Sequence, residues 1–455
     1  MVQSISPKFN PQKVVLFSFL GAILIFAILL KLPMSSHQGL SWIDALFTAA
    51  SGICVTGLSV IDIGKELTFS GQVILLLAIQ AGGLGIMTYS VFFTLLFRGH
   101  STLVSRLSVG LTPQKEESRD FLHVLGFVLA MTLSFEAVGS LLLFQELKGF
   151  HEEGNAVFSS IFHAVSAFCN AGFGLYSNSL MSFKHGFYLP SCIAVLIIFG
   201  GLGFMVIDEV RGWLLAHLRG QRFRLSLHTR LCLTASAVLI CLGTLSVFFL
   251  ERGNLLSGMP LPKQMMNAFF LSVTSRTAGF NTIDTASLTN ATLFFIMLCM
   301  FIGGCPGSSA GGIKVTTFSV LIAVVKDQAR FRQTASLFKR RLPKSTVSRA
   351  LAISAAGFVL VTGITLLLQI TEKAGAPAAV ARSGFLDLFF ETVSAFGTVG
   401  LSTGITSSLS FTGKLLIIAL MFIGRVGPLA LALAVMARRK TGPRFEYAEE
   451  DIVVG

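Results

Sequence analysis

The stretch Thr398-Val399-Gly400-Leu401-Ser402 decides the fold, because three others are built like it. They are Val55-Thr56-Gly57-Leu58-Ser59, Asn170-Ala171-Gly172-Phe173-Gly174 and Thr277-Ala278-Gly279-Phe280-Asn281. Each interrupts an apolar region, and each has a phenylalanine ten residues before its glycine, at Phe47, Phe162, Phe269 and Phe390. A second glycine cluster follows each stretch after 25–29 residues: Gly82-Gly83-Leu84-Gly85, Gly200-Gly201-Leu202-Gly203, Gly303-Gly304-Cys305-Pro306-Gly307 and Gly424-Arg425-Val426-Gly427. Two landmarks in register at four places mark an internal repeat.

The setting of these repeats is a membrane. Of 455 residues, 53% are hydrophobic and 13% charged, with a mean hydropathy of +0.77. That excludes an ordinary soluble domain. The first apolar run, Val14 to Leu30, exceeds a typical signal-peptide core and lacks a small-residue cleavage site, so it reads as a retained span. Seven cysteines are scattered singly and suggest neither a disulfide framework nor a metal set. The net charge of +13 is topological and gives no nucleic-acid footprint, because the basic residues sit between spans.

Eight spans are expected, at about 14–32, 72–97, 122–145, 187–213, 229–250, 291–325, 350–371 and 413–437. Shorter mixed segments at 42–53, 157–168, 265–275 and 384–396 cannot cross a bilayer and read as re-entrant half-helices leading into the glycine stretches. Basic residues crowd the segments after the second, fourth and sixth spans (Arg98 to Arg119, Arg211 to Arg230, Lys326 to Arg349) and both termini. By the positive-inside rule these are cytoplasmic, and the half-helices enter from outside. The expected plan is an all-α integral membrane protein of four tandem span–half-helix–filter–span repeats, with pseudo-fourfold symmetry around one pore. Its divisions are a cytoplasmic N-terminus (1–13), repeats at 14–98, 99–217, 218–327 and 328–437, and a cytoplasmic tail (438–455).

A cation crossing such a pore must exchange water for other oxygens, and backbone carbonyls can supply them. Carbonyls that point inward in succession need backbone angles open mainly to glycine. Half-helix C-termini aimed at the cavity add partial negative charge. The expected ion ligands are Val55, Thr56 and Gly57; Asn170, Ala171 and Gly172; Thr277, Ala278 and Gly279; and Thr398, Val399 and Gly400. Thr398-Val399-Gly400 reproduces the start of the potassium-channel filter sequence, and no ring of four carboxylates accompanies it.

With these motifs in place, the chain resembles the Trk/Ktr/HKT superfamily of potassium transporters, and most of all the bacterial Ktr membrane subunit. The resemblance runs from Val14 to the C-terminus. It implies potassium uptake across the bacterial cytoplasmic (inner) membrane, with Gly57 at the position where a serine goes with sodium permeation in plant relatives. It further implies a homodimer with one pore per protomer, and a cytosolic nucleotide-binding ring (ATP/ADP or NAD) docked on the basic face. Relatives often couple potassium to sodium (Na+), but no residue set in this sequence specifies the coupling. No organic cofactor is expected in this chain, which has no dinucleotide or phosphate-loop domain of its own.

Two elements are candidate gates. Gly303-Gly304-Cys305-Pro306-Gly307-Ser308-Ser309-Ala310-Gly311-Gly312 cannot continue a helix. A phosphate loop fails on spacing, since Lys314 follows Ile313 and no Ser or Thr follows it. A hinge between packed helices is one reading, and the resemblance implies the other, a mobile loop below the filter. Arg425 lies about eleven residues, or ~16 Å, from either end of its span, too far to snorkel out. It is expected either as a positive barrier on the ion path or as a brace on freed carbonyls. Arg276 reads as an anchor of the third stretch, and His163 and Glu391, in one register, as hydrogen-bonding groups. Two alternative functions fit parts of the sequence. A non-selective monovalent cation channel shares the architecture, whereas a membrane-embedded enzyme would rest on Ser166 and His163, which lack an orienting acid.

Overall fold

The computed structural model describes residues 11–106, 114–150, 153–332, 334–373, 377, 382 and 384–427. The tail at 438–455 and the last part of the expected eighth span, 428–437, lie outside them. The chain is mostly helical. In order it forms α1 (Pro11–Lys31), α2 (Trp42–Ile53), a single turn α3 (Ile63–Glu66), α4 (Phe69–Arg106) and α5 (Gln114–Leu147). Then come α6 (Glu153–Phe168), α7 (Tyr188–Leu202), α8 (Phe204–Leu218), α9 (Leu227–Glu251), α10 (Leu261–Thr274) and α11 (Asn290–Phe301). The chain continues with α12 (Val315–Gln328), a small hairpin β1 (Ser336–Leu337) and β2 (Arg340–Arg341), α13 (Lys344–Lys373), α14 (Phe385–Gly397) and α15 (Phe411–Val426).

Local sequence starts and stops these elements. Ser41 caps α2 by accepting from the Asp44 amide at 3.1 Å. Ser226, Thr289 and Ser410 cap α9, α11 and α15 in the same way. The short helices α2, α6, α10 and α14 pack on the long helices that precede them, α1, α5, α9 and α13. The helix after each glycine stretch also touches the next short helix: α4 meets α6, α7 meets α10, α11 meets α14, and α15 returns to α2. Those contacts close a ring. In lipid, such association rests on close packing rather than on expelling water. Phe47, Phe162 and Phe390 are fully buried in it.

Length and apolarity alone qualify four described helices to cross a bilayer: Lys13–Lys31, Val124–Leu147, Leu227–Glu251 and Lys344–Lys373. Three of the other expected spans depart from straight helices. The fourth is bent by 101° between α7 and α8, where Gly203 takes φ +85°. The sixth is two helices separated by residues 302–314, and the eighth leaves the helix at Gly427, φ +94°. Only α4 runs unbroken past its glycine cluster. The third phenylalanine landmark also shifts by one: Phe270 is fully buried, and Phe269 only partly. The end of α10 explains it. Its Ala278 amide bonds the carbonyl four residues back (Thr274), whereas Thr56, Ala171 and Val399 reach five back to Ser51, Ser166 and Ser394.

Candidate functional site

The four glycine stretches meet. A methyl group placed on Gly57 would collide with the Ala171 carbonyl oxygen and stand 3.1 Å from Gly172 Cα. The same test on Gly172 meets the Ala278 carbonyl and Gly279 Cα at 2.9 Å. On Gly279 it meets the Val399 carbonyl and Gly400 Cα at 3.1 Å, and on Gly400 the Thr56 carbonyl and Gly57 Cα at 3.0 Å. The contacts run through the stretches in chain order and return to the first. Above the ring lies a cavity of about 460 Å³ that all four glycines line, with Ser59, Tyr176, Asn281 and Ser402 in its walls.

The backbone of each stretch alternates in hand. Gly57, Gly172, Gly279 and Gly400 have φ of +91°, +70°, +81° and +91°. Two residues earlier, Val55, Asn170, Thr277 and Thr398 also take left-handed angles, φ +55°, +59°, +80° and +48°. Three of those four are β-branched, for which a positive φ is a genuine outlier. Such strain costs on the order of 1–3 kcal/mol each and persists only where its surroundings impose it. The surroundings here are the ends of the short helices. The Thr56, Ala171 and Val399 amides are tied back to Ser51, Ser166 and Ser394 carbonyls at 2.7–2.9 Å. Gly57 and Gly400 amides donate to Ser51 and Ser394 Oγ, each at 3.1 Å. The sequence reading missed Ser51 and Ser394 and weighed Ser166 only as an enzyme nucleophile, although the signal was present: each lies six residues before its glycine, where the third stretch has Val273.

Groups behind the ring hold the outgoing chain. Glu391 accepts from Ser402 Oγ at 2.8 Å and from Thr406 Oγ1. His163, in the same register of the second repeat, accepts from the Leu175 amide at 3.4 Å. Arg276 donates to Ser236 Oγ (3.2 Å) and carbonyl (3.4 Å) on α9, away from the ring. A buried trio escaped the sequence reading: Gln80 Nε2 donates to Glu136 at 3.1 Å, and the Cys169 thiol faces both. The glycine clusters serve close packing. A Cβ on Gly82, Gly200 or Gly424 would strike the carbonyl of Ile53, Phe168 or Phe396, at the ends of α2, α6 and α14.

Residues 302–314 pass beneath the ring as a loop. Gly303 approaches Thr277 Cγ2 at 3.4 Å, and Gly311 approaches Thr398 Cγ2 at 3.0 Å, by the same methyl test. The loop is bonded on several sides. Its ends pair through Gly303 N to Ile313 O at 2.8 Å. Cys305 N reaches Gly201 O at 2.9 Å, Ser309 Oγ reaches Gly200 O at 3.1 Å, and Phe204 N reaches Gly307 O at 3.2 Å. Arg425, 4% exposed, donates Nη1 to the Ser309 carbonyl and Nη2 to the Gly82 carbonyl at 3.1 Å. Lys314 donates to the Ala310 carbonyl. Arg425 therefore ties the fourth repeat to the loop and to the first glycine cluster. No group of three or more potential metal-ligating side chains occurs among the described residues. The ring offers backbone oxygens instead.

The chain was compared with known proteins. The family TrkH, cation transport protein, matches residues 16–443. Ktr system potassium uptake protein B of Bacillus subtilis is 37% identical over 446 residues, covering 97% of this chain and 96% of that protein. Its namesake in Vibrio alginolyticus is 38% identical over 453 residues (98% and 96%). Potassium/sodium uptake protein NtpJ of Enterococcus hirae is 33% identical over 459 residues (100% and 99%). Among solved structures, the crystal structure of the potassium transporter TrkH from Vibrio parahaemolyticus superposes with a TM-score of 0.70 over 96% of this chain and 87% of that one. At 19% identity that likeness speaks for the fold. With the family matched along nearly its whole length, this chain belongs to the TrkH cation transport proteins.

Proposed function

We propose that this chain takes up potassium through the ring of Gly57, Gly172, Gly279 and Gly400, as a transporter rather than an enzyme. One observation carries the reading: four stretches, each with left-handed angles at its glycine and two residues before it, abut in a closed cycle. Alternating backbone hand turns carbonyls toward one side, and four such strands around one axis replace a cation's water shell. The ends of α2, α6, α10 and α14 supply further partial negative charge. The filter ligands are residues 55–57, 170–172, 277–279 and 398–400, and the four repeats stand in pseudo-fourfold relation around them. Relatives named for potassium uptake support the choice of ion. A relative named for potassium and sodium supports sodium as a second or coupled ion.

The loop 303–312 is the gate, and Arg425 is both its latch and a positive barrier. Its bonds to Ser309 and Gly82 carbonyls support the first role, and its burial below the ring supports the second. The basic connectors fit a cytoplasmic face in a bacterial inner membrane, on which a nucleotide-binding ring would dock beneath a homodimer. Growth of an uptake-deficient host on limiting potassium tests the function. Wild-type chain is expected to restore growth, and Gly172→Ala is expected not to. Rescue by neither, with both proteins present in the membrane, would refute the proposal.

A further inference from the structure

The connector between α12 and α13 takes no part in the pore, yet it builds a cavity of about 340 Å³. Its apolar side is Leu342, Val347 and Leu351, and its polar side carries Arg332, Arg341 and Lys344. The one carboxylate in its lining, Asp327, is already engaged. It accepts from Ser336 N at 2.6 Å and Ser336 Oγ at 2.8 Å, and it faces Arg332 Nη1 at 3.4 Å. Arg341 and Lys344 have no ion-pair partner among the described residues. Three cations against one carboxylate leave the cavity positive above an apolar floor.

Its depth suits a headgroup. α12 starts at the loop beneath the ring and runs 14 residues, or about 21 Å. Half the hydrocarbon core is about 15 Å. α13, 30 residues with a window of mean hydropathy 2.3, re-enters the bilayer from Lys344. The same connector bears Phe331, 98% exposed, and Phe338, 47% exposed, next in sequence to the cations Arg330, Lys339 and Arg340. Exposed apolar side chains next to cations suit a surface that meets an anionic bilayer face.

We propose that this cavity binds the headgroup of an anionic phospholipid. The phosphate sits on Arg341 and Lys344, and the first part of an acyl chain lies along Leu342 and Leu351. The assignment is independent of how ions cross the ring. The test is native mass spectrometry of the full chain in mild detergent with phosphatidylglycerol, phosphatidylcholine or inorganic phosphate. Wild-type protein is expected to retain phosphatidylglycerol in preference to phosphatidylcholine, and inorganic phosphate is expected not to displace it. R341Q/K344Q is expected to weaken retention at least about tenfold. A control, R219Q/R222Q, removes two exposed cations elsewhere and is expected to leave it unchanged. Should the double variant aggregate, Lys344→Gln alone gives the reading. Equal retention by variant and wild type, equal binding of the zwitterionic lipid, or displacement by inorganic phosphate would overturn the proposal. So would a variant that keeps its lipid but loses a cytosolic subunit that co-purifies with wild type, which would make the cavity a protein-docking surface.

Discussion

Val55, Thr277 and Thr398 hold backbone angles that β-branched side chains avoid, and they do so one residue from a carbonyl that faces the ring. Strain of this kind clusters at functional sites, and it is one support for the proposed filter. The glycines beside them are constrained in the opposite way, since a methyl at any of the four has no room. Gly57→Ala or Gly400→Ala is therefore expected to narrow the aperture and cut rubidium uptake at least about fivefold, the kinetic counterpart of a 1–3 kcal/mol overpacking penalty. Tracer influx into cells with matched protein levels checks it. Ser394→Ala removes the acceptor for the Gly400 amide at 3.1 Å. It is expected to destabilise the folded chain by about 1 kcal/mol and to lower its melting temperature in detergent, while Ser408→Ala, on the outer turn, leaves it unchanged. The glycines were legible in the sequence because only they advertise a positive φ. Val55, Asn170, Thr277 and Thr398 were named as ligands but not as left-handed residues: three are β-branched and disfavour that region, and only Asn170 tolerates it by its own preference. The angle is imposed by helix ends that pack around them.

At the scale of elements, the proposed gating mechanism rests on the breaks. Gly203, residues 302–314 and Gly427 interrupt α7–α8, α11–α12 and the end of α15. The sequence revealed the second of these through its run of glycines and Pro306, but one glycine among three gave no sign of a 101° bend at 203. The cause is tertiary: the Phe204 amide is turned toward the Gly307 carbonyl of the loop. Arg425→Ala frees the Ser309 and Gly82 carbonyls, and is expected to loosen the loop, raise the transport rate several-fold and blunt regulation. Unchanged uptake kinetics would assign Arg425 to bracing alone. The connector hairpin makes its own prediction. Hydrogen bonds from the Ser336 side chain and amide hold the Asp327 carboxyl below its ordinary 3.8. A lowered folded value means the bonds stabilise in full above about pH 4 and fade as pH falls through it. Amide exchange at Ser336–Leu342, corrected for intrinsic rate, is expected to be protected alike from pH 8 to 5 and to accelerate below about 4. Asp327→Asn is expected to show the faster exchange at every pH.

For the whole molecule, the helix contacts that run from α4 to α6, α7 to α10, α11 to α14 and α15 back to α2 bring four distant stretches together. Spacing alone led to the expectation of four equivalent pieces, because membrane length, half-helix length and glycine position repeat together in the sequence. It did not announce how unequal they are. The third stretch has Val273 where the others have serine, Arg276 bonded sideways to Ser236, and its buried phenylalanine displaced by one. The trio of Gln80, Glu136 and Cys169 was likewise invisible, since its members come from three separate helices or their ends. The central claim is that these unequal repeats still bind one ion together. Crystals of the full chain grown in rubidium, with anomalous scattering recorded at the rubidium edge, test it most directly. The account predicts one strong peak on the axis, flanked by the carbonyl oxygens of Thr56, Ala171, Ala278 and Val399. Rubidium bound elsewhere in the membrane region, with that ring empty, would contradict it.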